Sequence, residues 1–263
     1  MKPTTIGHVI DHLDHTFPPK YQEDYDNSGF LLGDPTTQYR GTLIAIDLTP
    51  QTIGEAIAHN LNLIVTHHPF IFSGLKRITT QTETGRMTIQ LIQNNIAVYA
   101  AHTNLDNMKN GVNGILAQKL GLTNCHILKP MADNPDLGAG MLGQLPEPMP
   151  VADFLNQVKQ RLRLPVVRCS NLCRTTIQTV AICGGSGSFL ITNAITAHAD
   201  ILLTADLKYH DFQKAEERII LADIGHYESE QFAKEVIYCA ISEKFRNFAY
   251  RISSAQNGYV HYI

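Results

Sequence analysis

Leu63-Ile64-Val65-Thr66-His67-His68-Pro69-Phe70 is the stretch whose reading decides the fold. It opens as a short apolar run rich in β-branched residues, the pattern of a strand buried on both faces. It closes on two histidines and a proline, which ends the hydrogen-bonded ladder because it has no N–H. Two imidazoles thus stand at the lip of a sheet, where open α/β sheets place their ligands. Neighbouring side chains on a regular strand point to opposite faces. For both histidines to serve one site, either the chain bends at the strand end or the pair serves two adjacent ions.

Working outward, Leu43 to Asp47 reads as a strand, followed by Thr49 as a helix cap and Pro50 at the first helical position. That helix runs to about His59 and leads into the opening stretch, giving strand–helix–strand, the unit of a parallel sheet. Downstream, a helix over Thr84–Gln93 precedes a strand over Ile96–Ala100, which ends in Ala101-His102-Thr103-Asn104-Leu105-Asp106. A helix from Asn113 to Leu120 closes the first half at Gly121. Upstream, Thr4–Phe17 forms an amphipathic helix with Ile6, Val9, Ile10 and Leu13 on one stripe. Its His8, His12 and His15 read as a polar rim rather than a metal pair. Glu23 to Asp34, with Asp26-Asn27-Ser28-Gly29 at its heart, is a turn by composition followed by a short apolar run, and its short polar groups make it a candidate wall of an active site.

From Thr179 the chain repeats this grammar at low residue identity. Thr179–Cys183 echoes Thr42–Ile46, Ala199–Asp206 echoes Asn60–His68, and Arg218–His226 echoes Asn95–His102. The first copy ends in His102-x-x-x-Asp106 and the second in His226-x-x-x-Glu230. A spacing of four puts both groups on one face of a helical turn. The expectation is an α/β fold of two similar lobes from an internal duplication, residues 1–125 and 126–263, with mixed, mostly parallel sheets. The C-terminal segment is expected to pack back on the first lobe and the lobes to share one metal site. The middle, 127–171, is poorer in signal. It reads as a strand around Met141–Gly143, a proline-rich connector, a helix over Ala152–Leu162 and a short strand over Leu164–Arg168.

His67, His68, His102, Asp106, His226 and Glu230 form the chemical set. Imidazole with carboxylate suits Zn, Fe, Mn or Ni rather than Ca or Mg alone. Six such groups exceed one tetrahedral site and suit two ions bridged by a carboxylate. Two ions can share a hydroxide nucleophile and clamp an oxygen-rich substrate. Gly184-Gly185-Ser186-Gly187-Ser188, between a strand and a helix, fits either a phosphate cradle or a tight turn needing positive φ. Lys208-Tyr209-His210-Asp211 offers a cation and a proton carrier, or is a solvated loop.

Bulk properties narrow the classes. Of the 263 residues, 21 are basic and 24 acidic, a net charge of −3, so no basic excess draws a nucleic-acid backbone. Apolar content of 44% with 17% charged residues fits a globular protein rather than a disordered one. No run reaches membrane-span length, and the first 17 residues, with Asp11 and Asp14, do not make a secretory signal. Five cysteines without a C-x-x-C pair suit a reducing cytoplasm rather than a disulfide framework.

Tyr25-Asp26-Asn27-Ser28-Gly29, Thr66-His67-His68-Pro69, Ala101-His102-Thr103-Asn104-Leu105-Asp106, Gly184-Gly185-Ser186-Gly187 and Gly225-His226-Tyr227-Glu228-Ser229-Glu230 together resemble the NIF-three-like family, often labelled GTP cyclohydrolase I type 2. The resemblance implies a two-metal centre of Fe, Zn or Mn held by His67, His68, Asp106, His226 and Glu230, with His102 in or against that shell. It also implies two intertwined α/β domains and a ring-shaped homohexamer. The family's first motif commonly begins with Trp, where this chain has Tyr25. After Thr204 the family commonly carries Gly-Glu and paired histidines, against Ala205-Asp206 and Tyr209-His210 here. The long middle insertion of some members is missing. The implied activity is a metal-dependent hydrolase acting on a nucleotide-like small molecule, with the label favouring opening of the GTP imidazole ring. In that reading His102 or His210 moves protons, and Asp26, Asn27, Ser28 and Lys208 bind substrate. The alternatives are a two-metal phosphoesterase and a non-catalytic metal scaffold or metallochaperone.

Overall fold

The computed structural model describes residues 3–255 and 259–260. Its strands are β1 (Gly29–Leu32), β2 (Gly41–Ala45), β3 (Leu63–Thr66), β4 (Ala97–Ala100), β5 (Thr123–Met131), β6 (Asn134–Pro150), β7 (Arg168–Cys169), β8 (Thr176–Ser186), β9 (Ile201–Ala205), β10 (Ile220–Asp223) and β11 (Ala249–Ile252). They form two mixed sheets, ordered β1-β4-β3-β2-β11 and β5-β6-β8-β9-β10-β7.

The heart of each sheet is a parallel triplet with its middle strand in the same place. In the first, Leu63 on β3 pairs with Thr42 on β2 and Ala97 on β4. In the second, Ile201 on β9 pairs with Val180 on β8 and Ile220 on β10. This is the duplicated strand–helix–strand grammar expected from the sequence. Every residue of β2, β3, β4, β9 and β10 is buried, as their unbroken apolar runs require when helices cover both faces.

The chain divides into two compact units. The first takes residues up to Leu105 and a segment beginning at Ala233; the second takes Asp106–Phe232. In the first, the helices Pro50–Ala58 and Glu83–Gln93 set Ile53, Ala56, Met87 and Leu91 against Leu43, Ile64 and Val98. Each such aliphatic side chain contributes about 1.5–3 kcal/mol on burial. β11 adds to the far edge in parallel with β2. In the second unit, helix Val151–Leu162 brings Phe154, Val158 and Leu162 onto Val180, Ile182 and Leu203, together with Leu116 and Leu120 of helix Val112–Leu120. The latter helix packs on the second sheet.

The middle of the chain is more regular than its composition suggests. A long antiparallel hairpin, β5–β6, extends the second sheet, and β6 runs antiparallel to β8. Glycines and prolines obscure it in sequence because the strand is irregular. Its pairing with β8 shifts register between Gln144 and Met149, where Pro146 and Pro148 lie, and such irregularities tolerate proline. Gly138, at φ +143°, comes so close to β5 that a Cβ would stand 2.2 Å from the Lys129 carbonyl. The strand read over Leu164–Arg168 is reduced to the two residues of β7. Of the helix Ile6–Thr16, Ile6, Val9, Ile10 and Leu13 are buried, while His8 bonds Thr5 and His12 bonds the Ala240 carbonyl.

Candidate metal centre

The first unit brings His67, His68 and His102 together, with one ring nitrogen of each within 4.8 Å of those of the others. β3 ends at Thr66, and the Thr66 hydroxyl donates to the His68 carbonyl at 2.7 Å. The chain bends there, so consecutive histidines join one cluster, their ring centroids 5.0 Å apart. His102 follows β4, centroids 5.3 Å from His67 and 5.5 Å from His68.

All three rings are anchored alike. His67 Nδ1 lies 2.7 Å from the Ala101 carbonyl, His68 Nδ1 2.7 Å from Asp47 Oδ1, and His102 Nδ1 2.7 Å from Asp26 Oδ1. Carbonyl and carboxylate oxygens accept hydrogen bonds, so Nδ1 is the donating nitrogen in each ring. An imidazole oriented by an oxygen on its far nitrogen is the usual outer support of a histidine metal ligand.

Asp26 is the most heavily bonded of these supports. It accepts from Asn27 N–H at 2.7 Å, the Ser28 hydroxyl at 2.8 Å and the Thr103 N–H at 3.1 Å, besides His102. Burial opposes its ionisation, but the hydrogen bonds from His102, Thr103 and Ser28 prevail and hold the carboxyl well below the usual carboxylate range. The Asp26 carboxylate is buried behind His102, Ser28 supports Asp26, and Asn27 donates to the Ile71 carbonyl at 2.5 Å.

The second unit contributes a different set. His226 opens the short helix His226–Glu230, and the four-residue spacing puts its Nε2 3.0 Å from Glu230 Oε2. Its Nδ1 lies 2.7 Å from Asp206 Oδ2, which also accepts from the Ser186 hydroxyl at 2.5 Å. Hydrogen bonding to Glu230 outweighs burial and, with Asp206, raises the His226 pKa to about 9. Asp206 is lowered: burial opposes its charge, but the Ser186 and His226 bonds overcome that. Asp106 falls in the same unit, with a carboxylate oxygen within 4.8 Å of one from Glu230.

The glycine run explains why Glu230 fits. Gly185 has φ +62°, and a Cβ there would lie 2.1 Å from Glu230 Oε1. Its N–H donates to the Ser229 hydroxyl at 3.0 Å, and the Gly184 N–H to Asn113 Oδ1 at 2.9 Å. Both amides are engaged within the fold, and Gly184, Gly185 and Ser186 form the closely packed end of β8. His210 and Lys208 are both exposed. His210 Nδ1 bonds Gln213 on its own turn, the Lys208 N–H bonds Asp211, and no ligand grouping among the described residues includes either. Sequence reading missed Asp47, Asp206 and the Ala101 carbonyl as ring anchors. An acid at the C-terminal end of a buried strand was the available signal for the first two.

The chain matches the Duf34/NIF3 (NGG1p interacting factor 3) family over residues 4–257, and it belongs to that family. A Clostridium perfringens protein named GTP cyclohydrolase 1 type 2 homolog is 33% identical over 226 residues, covering 86% of each chain. A Staphylococcus aureus hypothetical protein of known crystal structure is 28% identical, with a TM-score of 0.92 over the whole of both chains. A Bacillus cereus protein related to NIF3 shares the fold at 23% identity, TM-score 0.92, again over both whole chains.

Proposed function

We propose that the protein is a divalent-metal-dependent hydrolase in which His67, His68, Asp106, His226 and Glu230, with His102 beside them, serve one pair of Fe, Zn or Mn ions. The observation that carries this reading is the common anchoring of the three first-unit rings, each with Nδ1 on an oxygen acceptor. Three imidazoles directed this way and a set of carboxylates match the donors such ions take. Ions held there supply Lewis acidity and lower the pKa of water, which is the chemistry of hydrolysis.

The chain's own residues divide the work. Ala101, Asp47 and Asp26 fix the ring tautomers of His67, His68 and His102. Asp26 keeps the His102 proton on Nδ1, so His102 acts as a ligand more readily than as a proton shuttle. His226 faces Glu230 through Nε2 and Asp206 through Nδ1, and it would hold a metal at Nε2 only with that nitrogen deprotonated. The name of the Clostridium perfringens relative directs the substrate search to nucleotides. A cytoplasmic location suits the five free thiols, and the hexamer implied by family resemblance belongs to the same reading. No helix among the described residues is long and apolar enough to cross a membrane.

The test is elemental analysis of protein purified without chelator, then a turnover screen with the metal found. Two metal equivalents with turnover of GTP or a related nucleotide support the hydrolase. Turnover confined to phosphoesters reassigns the site to a phosphoesterase. Full metal occupancy with no turnover favours the metal scaffold.

A further inference from the structure

The segment that anchors His102 also presents an aromatic surface beside it. Tyr25, immediately before Asp26, is 66% exposed, and Phe72 is 49% exposed. Their ring centroids are 6.4 Å apart at an interplanar angle of 39°, and the Phe72 ring stands edge-on to His102, 6.3 Å between centroids at 77°. Two large aromatics this exposed, touching each other and a ring of the histidine cluster, are not serving the core. Their placement is built in. Asn27 Nδ2 donates to the Ile71 carbonyl at 2.5 Å, tying the Tyr25 loop to the Phe72 loop, while Asp26 next door holds His102. Three consecutive residues therefore set the distance from Tyr25 to Phe72 to His102.

We infer that Tyr25 and Phe72 form a stacking platform for a planar heterocycle of purine or pterin size, holding the ring of the substrate against the His102 side of the metal cluster. The inference rests on the metal-dependent reading for the substrate's destination, but the platform is defined by its own geometry. Aromatic side chains bind bases through their π-faces, whatever the base's hydrogen-bonding edge. Such a surface selects for a ring, and a substrate carrying only phosphates gains nothing from it. It also places the ring, not a distant phosphate, next to the histidines.

The test is equilibrium binding of guanosine, adenosine, a pterin and inorganic triphosphate to the metal-loaded full chain, with metal content measured alongside. Tyr25→Ala and Phe72→Ala should each weaken binding of the cyclic probes about 5- to 100-fold, the range found for loss of a stacking aromatic. Triphosphate affinity and metal content should stay unchanged, and Tyr25→Phe should keep most of the ring affinity. Wild-type protein that binds none of the three ring compounds overturns the platform, as do alanine variants that bind them normally. A change of oligomeric state in both alanine variants, with ring binding intact, also overturns it and assigns the surface to a second copy of the chain. Ring binding without turnover of any substrate keeps the platform and removes the hydrolase reading.

Discussion

The two units carry the same parallel triplet but place different chemistry at its strand ends. In the first, Asp47 follows β2, His67 and His68 follow β3, and His102 follows β4. In the second, Gly184-Gly185 closes β8, Asp206 follows β9, and His226 follows β10. The first unit thus gathers three imidazoles, each held at Nδ1 by an oxygen. The second gathers one imidazole among carboxylates, held at both nitrogens. The comparison teaches that duplication preserved the positions and not the roles: the strand end that carries His67 and His68 in one copy carries Asp206, the anchor of His226, in the other. In the second, Glu230 and Asp206 raise the His226 pKa and favour its protonated ring.

Replacing a ligand from either unit should have the largest effect. Glu230→Gln and His68→Ala should each lower metal affinity by roughly 100-fold or more, beyond the loss seen for outer supports. If the sets serve one pair of ions, each substitution alone will disturb both equivalents in elemental analysis. Loss of one equivalent with the other untouched would separate the two sets and break the shared-centre proposal.

The anchors come next. Asp26→Asn and Asp206→Asn should each cost about 10- to 100-fold in metal affinity. Isothermal titration would read this directly, and equal losses would show that the two units depend on their anchors alike. An Asp26→Asn variant of unaltered affinity would mean that His102 needs no fixed tautomer.

Gly185→Ala tests the glycine that makes room for Glu230. A left-handed backbone costs a residue with a Cβ about 1–2 kcal/mol, and the new methyl would push on the Glu230 carboxylate. Urea denaturation should report the destabilisation, and metal affinity should fall as well. Stability lost with metal binding intact would show that Glu230 can move aside.

The smallest effect is one of pH, in metal-free protein. The His226 pKa is raised to about 9 from its ordinary 6.5, chiefly by Glu230. A raised pKa stabilises the fold fully below about pH 6.5, and that contribution disappears as pH climbs through about 9. The ring is 39% exposed, so solvent screening limits the effect to about 1 kcal/mol. The urea midpoint of the metal-free protein should drift down over that window, and Glu230→Gln should flatten the drift. Metal binding at pH 7 should release a proton, measurable as a buffer-dependent binding enthalpy.

Much of this was legible along the chain. The buried runs at Leu43, Leu63, Ala97, Ile201 and Ile220 announced their strands, since only apolar β-branched stretches suit a strand covered on both faces. The His102 and Glu230 ends stood out because side chains four apart share a helical face. The β5–β6 hairpin did not, because its glycines and prolines answer to bulges and close strand approach rather than to local propensity. Asp26 read as a polar loop residue, and 76 positions separate it from the His102 ring it holds.

By itself, the sequence determined the duplicated parallel core and nominated the candidate donor residues, because periodicity and short spacings are local properties of the chain. Only the tertiary structure decided which nitrogen of each histidine is anchored and by what. It also decided that Asp26 supports His102, that Gly185 makes room for Glu230, and that Tyr25 meets Phe72 beside His102. Those relations join residues tens of positions apart, and a side chain's role is set by what folding places against it.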